Sequence, residues 1–132
     1  MVNSYGKNAG KVWTALNAYG PLNKEELIRK TRLKDNDFFA AVGWLARENK
    51  LSKNGSKYEL KETNLADVIG SNAGKVWNAL YTQADINVTS ITEISKITRR
   101  DAYTALGWLA REDKIRTKTS KKNSKEIKYM LK

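Results

Sequence analysis

The side chains best suited to hold a polyanion come together in the stretch RRDAYT at residues 99–104. Arg99 and Arg100 carry guanidinium groups, which bind phosphates or read the edge of a guanine base. Tyr103 and Thr104 add hydroxyl groups that reach phosphates or bases. We place all four at the start of a predicted helix and interpret them as candidate nucleic-acid contacts, with solvated turn residues as the alternative.

A matching stretch earlier in the chain is poorer in hydrogen-bond donors. Its polar members are Lys34 and Asn36, and Phe39 and Ala40 complete it. An apolar ring and a methyl group offer no hydrogen bond to a base or a phosphate. We therefore expect residues 99–104 to contribute more to nucleic-acid recognition than this earlier stretch.

A run of basic residues closes the chain. Residues 114–132 contain eight basic side chains and one acidic side chain, Glu126. Cations of this kind neutralise phosphates and position a protein on a nucleic acid without reading its sequence. The predicted contacts in this run are Arg116, Lys118, Lys121, Lys122, Lys125 and Lys128, and Arg111 shortly before it is another. Those of the first hairpin are Lys53 and Lys57. A solvated charged face is the alternative.

The net charge of the 132-residue chain is +11, and both halves are basic. Residues 1–66 contribute +5 and residues 67–132 contribute +6. This balance favours a polyanionic partner, which means DNA, RNA or an anionic surface. A lysine-rich composition inherited from an AT-rich genome would give the same charge without function.

Histidine and cysteine are absent from the chain. Few options therefore remain for acid–base catalysis, nucleophilic catalysis or transition-metal binding. The pair Glu25–Glu26 lies at a predicted helix start, where capping explains it. No glycine-rich phosphate loop is present. We expect a protein that is not an enzyme and that has neither a cofactor nor a metal site.

No apolar run approaches the roughly 18 residues that a membrane span requires, and the N-terminal stretch MVNSYGKNAG lacks the apolar centre of a signal peptide. The sequence therefore predicts a cytoplasmic, nucleoid-associated protein without a membrane partner.

Two phrases occur twice in the same order. NAGKVWTAL at 8–16 matches NAGKVWNAL at 72–80, and GWLAREN at 43–49 matches GWLARED at 107–113. The offset is 64 at both landmarks, so we predict two domains, 1–64 and 65–132. Between them lies ETNLADVIG, which is too apolar for a flexible linker. We therefore expect the two repeats to pack together.

Each repeat reads as three helices followed by a β-hairpin. In the first repeat Asn8 and Asn23 stand as N-caps, and Glu26 completes a capping box with Asn23. Asn54-Gly55 between two alternating runs predicts the hairpin. In the second repeat the phrase SITE at 90–93 reads as a capping box, which starts the second helix at Ser90 and lengthens the preceding loop by three residues relative to the first repeat. The predicted fold class is mainly α with small β-hairpins (α+β), as two tandem repeats packed as a pseudo-twofold pair.

Three helices and a hairpin, twice over, resemble a tandem winged helix-turn-helix protein, in which the hairpin is the wing. The phrases NAGKVW and GWLARE resemble a family of small archaeal and bacterial winged-helix domains that is described by fold rather than by function. The resemblance covers nearly the whole chain. It implies a DNA-binding ancestry, a recognition role for the third helix and a tendency to pair, but no established target.

Glycines in the middle of the third helices point to close helix packing. Gly43 and Gly107 each cost about 1 kcal/mol relative to alanine, and the close approach of another helix would compensate. We expect Trp44 and Trp108 to pack with them, against the first helix or against the other repeat. The residues assigned to core or inter-repeat packing are Trp13, Trp44, Trp77, Trp108, Gly43 and Gly107. Packing inside each repeat is favoured over the inter-repeat role, and the two are compatible.

The resulting hypothesis is a protein that binds double-stranded DNA through the third helix and the wings, as a transcription regulator or a chromosome-associated protein. The alternatives are a protein–protein adaptor that uses an exposed Phe39–Trp44 surface and a binder of structured RNA or the ribosome. Either a monomer with an internal pseudo-dimer or a homodimer fits the sequence. A single bound duplex requires Arg99, Arg100 and the second wing to face the same way as the first wing.

Overall fold

A computed structural model of the chain describes residues 2–119 and 126–132, with side chains from Ser4 onward. Six helices and five strands lie in these ranges in two similar series. The first series is α1 (Val2–Tyr19), β1 (Leu22–Asn23), α2 (Lys24–Thr31), α3 (Asp35–Arg47), β2 (Leu51–Asn54) and β3 (Lys57–Leu60). The second is α4 (Ala66–Thr82), α5 (Val88–Ser95), α6 (Arg99–Arg111), β4 (Ile115–Thr119) and β5 (Ile127–Leu131).

The first half ends in a small three-stranded antiparallel sheet in the order β1-β3-β2. The predicted hairpin forms, but its two-residue turn is Gly55-Ser56 and not Asn54-Gly55, because Asn54 pairs with Lys57 in the ladder. Gly55 has a φ of 60°. Glycine adopts a positive φ in such a turn without the steric cost that other residues incur. The strand β1 was not predicted from the sequence. It joins the wing to the start of α2 by pairing Leu22 with Tyr58.

In the second half β4 and β5 form the predicted longer hairpin, which pairs Ile115 with Leu131 and Thr117 with Tyr129. A single bridge between Ile86 and Tyr129 stands where β1 pairs with β3 in the first half. Since Tyr58 pairs with Lys53 and Tyr129 pairs with Thr117, the two tyrosines occupy equivalent places in the two wings.

The second helix of the first half, α2, starts where the sequence predicts. The second helix of the second half, α5, starts earlier than predicted. Asn23 and Glu26 form the expected capping box, with an Asn23 Oδ1 to Glu26 N distance of 2.8 Å. The N-cap of α5 is Asn87, whose Oδ1 accepts a hydrogen bond from Ser90 N at 2.9 Å. Ser90 therefore lies inside α5, and the expectation of a longer loop is wrong. The offset between the two caps is 64, as at the other landmarks.

The first helix also starts earlier than the sequence predicted. α1 begins at Val2 and α4 at Ala66, so Asn8 and Asn72 are buried inside helices and cap neither of them. The extra N-terminal turns cross to the opposite half. Tyr5 of α1 belongs to the hydrophobic core of the second half, and Ile69 of α4 belongs to that of the first. Because each half completes the core of the other, the two repeats form one interlocked pair.

Candidate nucleic-acid interface

The two third helices, α3 and α6, cross each other at their glycines. A Cβ atom at Gly43 would overlap the backbone carbonyl oxygen of Thr104, and one at Gly107 would overlap that of Ala40. The glycines therefore serve contact between the repeats, although packing inside each repeat was favoured from the sequence.

This crossing covers the outer face of both third helices. Along α3 the side chains of Phe38, Val42 and Leu45 point into the core of their own half. At about 100° per residue, Ala40 and Gly43 lie on the opposite side of the helix. A winged helix turns this outer side towards the major groove. Here α6 occupies it, so neither third helix is free to enter a groove along its length.

Thr104 lies in this contact and not on the surface. It is 7% exposed, and its hydroxyl donates to the Asp101 carbonyl oxygen at 2.9 Å. A buried hydroxyl with an internal partner does not reach a phosphate. The expectation that Thr104 contacts nucleic acid conflicts with this burial, because the sequence pattern does not reveal that α3 packs over it.

Reciprocal ion pairs flank the crossing. Arg47 Nε lies 3.1 Å from Glu112 Oε2, and Arg111 Nε lies 2.9 Å from Glu48 Oε2. The Arg111 guanidinium also lies 5.9 Å from the Trp44 ring centroid. Exposed pairs of this kind contribute at most about 1 kcal/mol each. Arg111, predicted as a nucleic-acid contact, is thus engaged between the repeats.

The tryptophans divide into two kinds. Trp44 and Trp108 are half-buried and lie over Gly6 and Gly70 of the first helix of their own half. Trp13 is 39% exposed, which contradicts its assignment to a packing role. The reason is its place next to the fully buried Val12, since adjacent helical residues point about 100° apart.

Trp77, the counterpart of Trp13, stacks on Tyr81 with ring centroids 5.2 Å apart. Both side chains belong to α4, and Trp77 is half-buried against the core of the second half, which confirms its assignment to packing.

Of the remaining candidates at the start of α6, Arg99 and Arg100 lie on the surface, whereas Tyr103 is half-buried against the core of the second half. The Arg99 guanidinium stays close to its own half, 5.7 Å from the Tyr103 ring centroid. Arg100 has a 65% exposed side chain, 3.8 Å from the Asp101 carboxylate. It also lines a cleft with Lys24 and Lys53 of the first half.

At the equivalent start of α3, Lys34 is the N-cap residue and makes no side-chain cap hydrogen bond. Lys34 and Asn36 are both exposed. In the first wing Lys53 and Lys57 are exposed, and the Lys53 ammonium lies 5.8 Å from the Tyr58 ring centroid.

The described part of the second wing presents two exposed cations, Arg116 and Lys118, and the half-buried Lys128. Lys118 Nζ lies 2.7 Å from Asp85 Oδ2, and this hydrogen bond lowers the pKa of the Asp85 carboxyl. The predicted contacts Lys121, Lys122 and Lys125 lie outside the described residues.

A basic cleft between α1 and α2 was not predicted from the sequence. Lys7, Lys11 and Lys30 line this open cavity of about 820 Å³, and the Lys30 ammonium lies 3.8 Å from the Tyr19 ring centroid. The spacing of Lys7 and Lys11 by four residues on one helix was the available signal. Among the residues that the structure describes, no group of three or more acidic side chains is placed to hold a metal ion.

A family model described as "Winged helix-turn-helix domain (DUF2582)" matches the chain twice, over residues 2–63 and 61–128. Comparison with curated proteins and with solved structures gives no match. None of the helices in the described ranges is long and apolar enough to cross a membrane. The division at residues 64 and 65 stays a prediction.

Proposed function

Because the chain belongs to the winged helix-turn-helix family whose model matches it twice, we propose that it binds nucleic acid, and double-stranded DNA in particular. Winged helices are typically DNA-binding modules. The observation that carries the proposal is the position of Arg100, which reaches from the second repeat to the cleft beside the first wing, where Lys24 and Lys53 also lie. Cations from both repeats thus border one surface.

The proposed contacts are to phosphates more than to bases. The outer faces of α3 and α6 cover each other, so only the helix starts and the wings remain for a duplex. Lysine and arginine at such places neutralise phosphates and fix the position of the protein without reading sequence. This favours weakly specific, chromosome-associated binding in the cytoplasm over recognition of a defined operator. It requires no catalysis and no cofactor.

The test is fluorescence anisotropy of a labelled random duplex of about 30 base pairs over a series of salt concentrations. We expect binding that weakens steeply with salt, and the variant R99A/R100A should bind more weakly and show a shallower salt dependence. The variant K61A/K75A removes the same charge at exposed positions outside the proposed contacts and serves as the control. Absence of binding at low salt, or equal losses in both variants, would contradict the proposal.

The covered third helices also favour a second candidate, a protein–protein adaptor, because they remove the usual reading surface of the fold. The proposed Phe39–Trp44 surface is only half exposed, whereas Trp13 and Tyr81 are exposed. A chain that fails to bind duplex DNA at low salt would direct attention to this function, and a folded RNA competitor in the same assay tests the RNA alternative.

A further inference from the structure

The cleft beside the first wing has an apolar floor and a cationic rim. It is a cavity of about 480 Å³ between α3, the wing and the starts of α4 and α6. Its floor includes Phe39, Val42, Tyr58 and Ile69, and its rim carries Lys24, Lys53 and Arg100. A concave apolar site with a few convergent polar groups is the usual form of a small-molecule site.

The chain fills the equivalent place in the second half with one of its own side chains. Tyr5 and Ile69 are related by the offset of 64, as Tyr58 and Tyr129 are related by their places in the wings. In the second half the buried Tyr5 and Tyr129 hydroxyls are 2.7 Å apart and share a hydrogen bond. A ring with a polar tip therefore occupies that position and satisfies the wing tyrosine.

In the first half isoleucine leaves that position without a ring or a polar tip. Tyr58 is 6% exposed and lines the cleft, and within the described ranges its hydroxyl makes no hydrogen bond to another residue. The hydroxyl oxygen itself stays open to the cleft, since among the described residues Ser52 Oγ is the buried side-chain polar atom without a partner. Burial raises the pKa of this hydroxyl, so it stays protonated and available as a donor. A hydroxyl that faces the cleft donates to water there, and a ligand that enters the cleft takes over this hydrogen bond.

The cations of the rim have no charged counterparts in the second half. By the same offset, Lys24, Lys53 and Arg100 correspond to Val88, Thr117 and Asn36. Two acids, Glu25 and Asp101, also border the cleft. Asp101 lies 3.8 Å from Arg100, and Lys24 is paired with Asp35 at 3.4 Å, while Lys53 makes no ion pair with a described carboxylate. The first half thus combines vacant space with added positive charge, a combination that suits an anion with an apolar body.

We propose that this cleft binds a small aromatic carboxylate. Its ring would pack on Val42 and Ile69 in the place that Tyr5 takes in the other half, Tyr58 would donate its hydroxyl hydrogen bond, and the carboxylate would face Lys53 and Arg100. Since both cations also border the proposed DNA surface, the ligand competes with phosphate there. This regulatory part rests on the proposed function, whereas the site itself does not.

The site is tested without DNA by titrating isotope-labelled full-length protein with 3-(4-hydroxyphenyl)propionate and following amide shifts by NMR. The neutral amide of the same compound is the matched control. We expect shifts clustered around Tyr58, Ile69 and Arg100, and affinity for the amide weaker by about tenfold or more, because charge-assisted hydrogen bonds are lost. No shifts at millimolar probe, or equal binding of acid and amide, would overturn the proposal.

Two variants locate the ligand. Ile69→Tyr gives the first half the ring that Tyr5 supplies to the second, and we expect it to abolish binding while the spectrum stays well dispersed. Arg100→Asn places at residue 100 the asparagine found at its counterpart, Asn36, and we expect an affinity loss of about tenfold. Lys61→Asn removes one charge elsewhere and should leave the affinity unchanged. Undiminished binding by Ile69→Tyr or Arg100→Asn would place the ligand outside this cleft and refute the site.

A last arm adds the same probe to the DNA anisotropy assay. Competition that disappears in Ile69→Tyr supports the regulatory link. DNA binding that is insensitive to a bound probe refutes that link and leaves the site standing. A protein that binds the probe but not DNA refutes the proposed function alone, so the two failures are distinguishable.

Discussion

At the scale of single residues, two helical glycines differ in what surrounds them. Gly43 and Gly10 both lie inside helices, but a Cβ at Gly43 would overlap the backbone of α6, whereas a Cβ at Gly10 would meet nothing within 4 Å. Glycine disfavours a helix by about 1 kcal/mol relative to alanine wherever it stands. Of these two glycines, Gly43 is the one at which helix packing offsets that cost.

Gly43→Ala should therefore lower the free energy of unfolding by about 2 kcal/mol or more, because two closely packed backbones must separate. Gly10→Ala should raise it by about 1 kcal/mol through helix propensity alone. Urea unfolding followed by circular dichroism measures both. A Gly43→Ala protein at least as stable as the parent would show that α3 and α6 do not cross as described.

The buried pair of tyrosines makes a second residue-scale prediction. Tyr5→Phe leaves the Tyr129 hydroxyl buried without its partner, so we expect a loss of about 1–2 kcal/mol in unfolding free energy. Tyr19→Phe is the control, since Tyr19 is 64% exposed and its hydroxyl is hydrated in both states. Equal stability of the two variants would argue against the hydroxyl–hydroxyl bond.

The stability of the protein at alkaline pH tests the same pair of tyrosines, because their hydroxyl groups lose protons there. Burial holds the pKa of Tyr5 and of Tyr129 above the ordinary value of 10.0. Above pH 10 the unfolded chain therefore releases protons that the folded chain keeps, and the free energy of unfolding falls as the pH rises. Stability measured on either side of pH 10 should fall less steeply in the variant Y5F/Y129F than in the parent protein. Parallel slopes would contradict this.

At the scale of elements, local pattern predicts the kind of element better than its limits. Asn23 with Glu26 was interpreted correctly, because both halves of the capping box are formed. Ser90 with Glu93 has the same spacing of a capping residue and a glutamate, but Asn87 caps the helix three residues earlier. The early start of α1 depends on Tyr5 entering the opposite core, a tertiary contact that no local pattern encodes.

The candidate site was predictable only in part for the same reason. Arg100 was recognised from its residue type and its place at a helix start. Its position across from Lys53 and Ile69 results from the crossing of α3 and α6, which connects residues far apart in sequence. Thr104 shows the opposite error, since its residue type suits a phosphate while the crossing buries it.

The cap of α5 gives an element-scale prediction. Asn87→Ala removes the acceptor for Ser90 N and a 3.0 Å hydrogen bond to Glu126 Oε1, so we expect about 1 kcal/mol of destabilisation or somewhat more. Ser90→Ala should change stability by less than about half of that, because its backbone and not its side chain takes part in the cap. Thermal unfolding compares the two. The reverse order would restore Ser90 as the helix start.

At the scale of the whole molecule, the exchange of Tyr5 and Ile69 between cores makes the halves mutually dependent. Neither half keeps a complete core when the other unfolds. We therefore expect one cooperative transition, with calorimetric and van't Hoff enthalpies in agreement.

Native-state hydrogen exchange of Gly43→Ala provides the sharper measurement. Although the change lies in the first half, protection of the slowest amides in α4 and α6 should fall by the same free energy as in α1 and α3. Gly10→Ala, which touches no other element, should raise protection in both halves alike. Loss of protection confined to the first half would show two independently folding domains.

The offset of 64 residues also has a consequence for inheritance. In a pair of identical subunits a single codon change alters two symmetry-related positions at once. In this chain Tyr5 and Ile69 are encoded separately, as are Asn36 and Arg100. The codon for Tyr5 can therefore preserve the hydrogen bond to Tyr129 in the second half, while the codon for residue 69 is free to change and to shape a cleft in the first half. Fusion of the two repeats thus allows each mutation to be selected for one half alone.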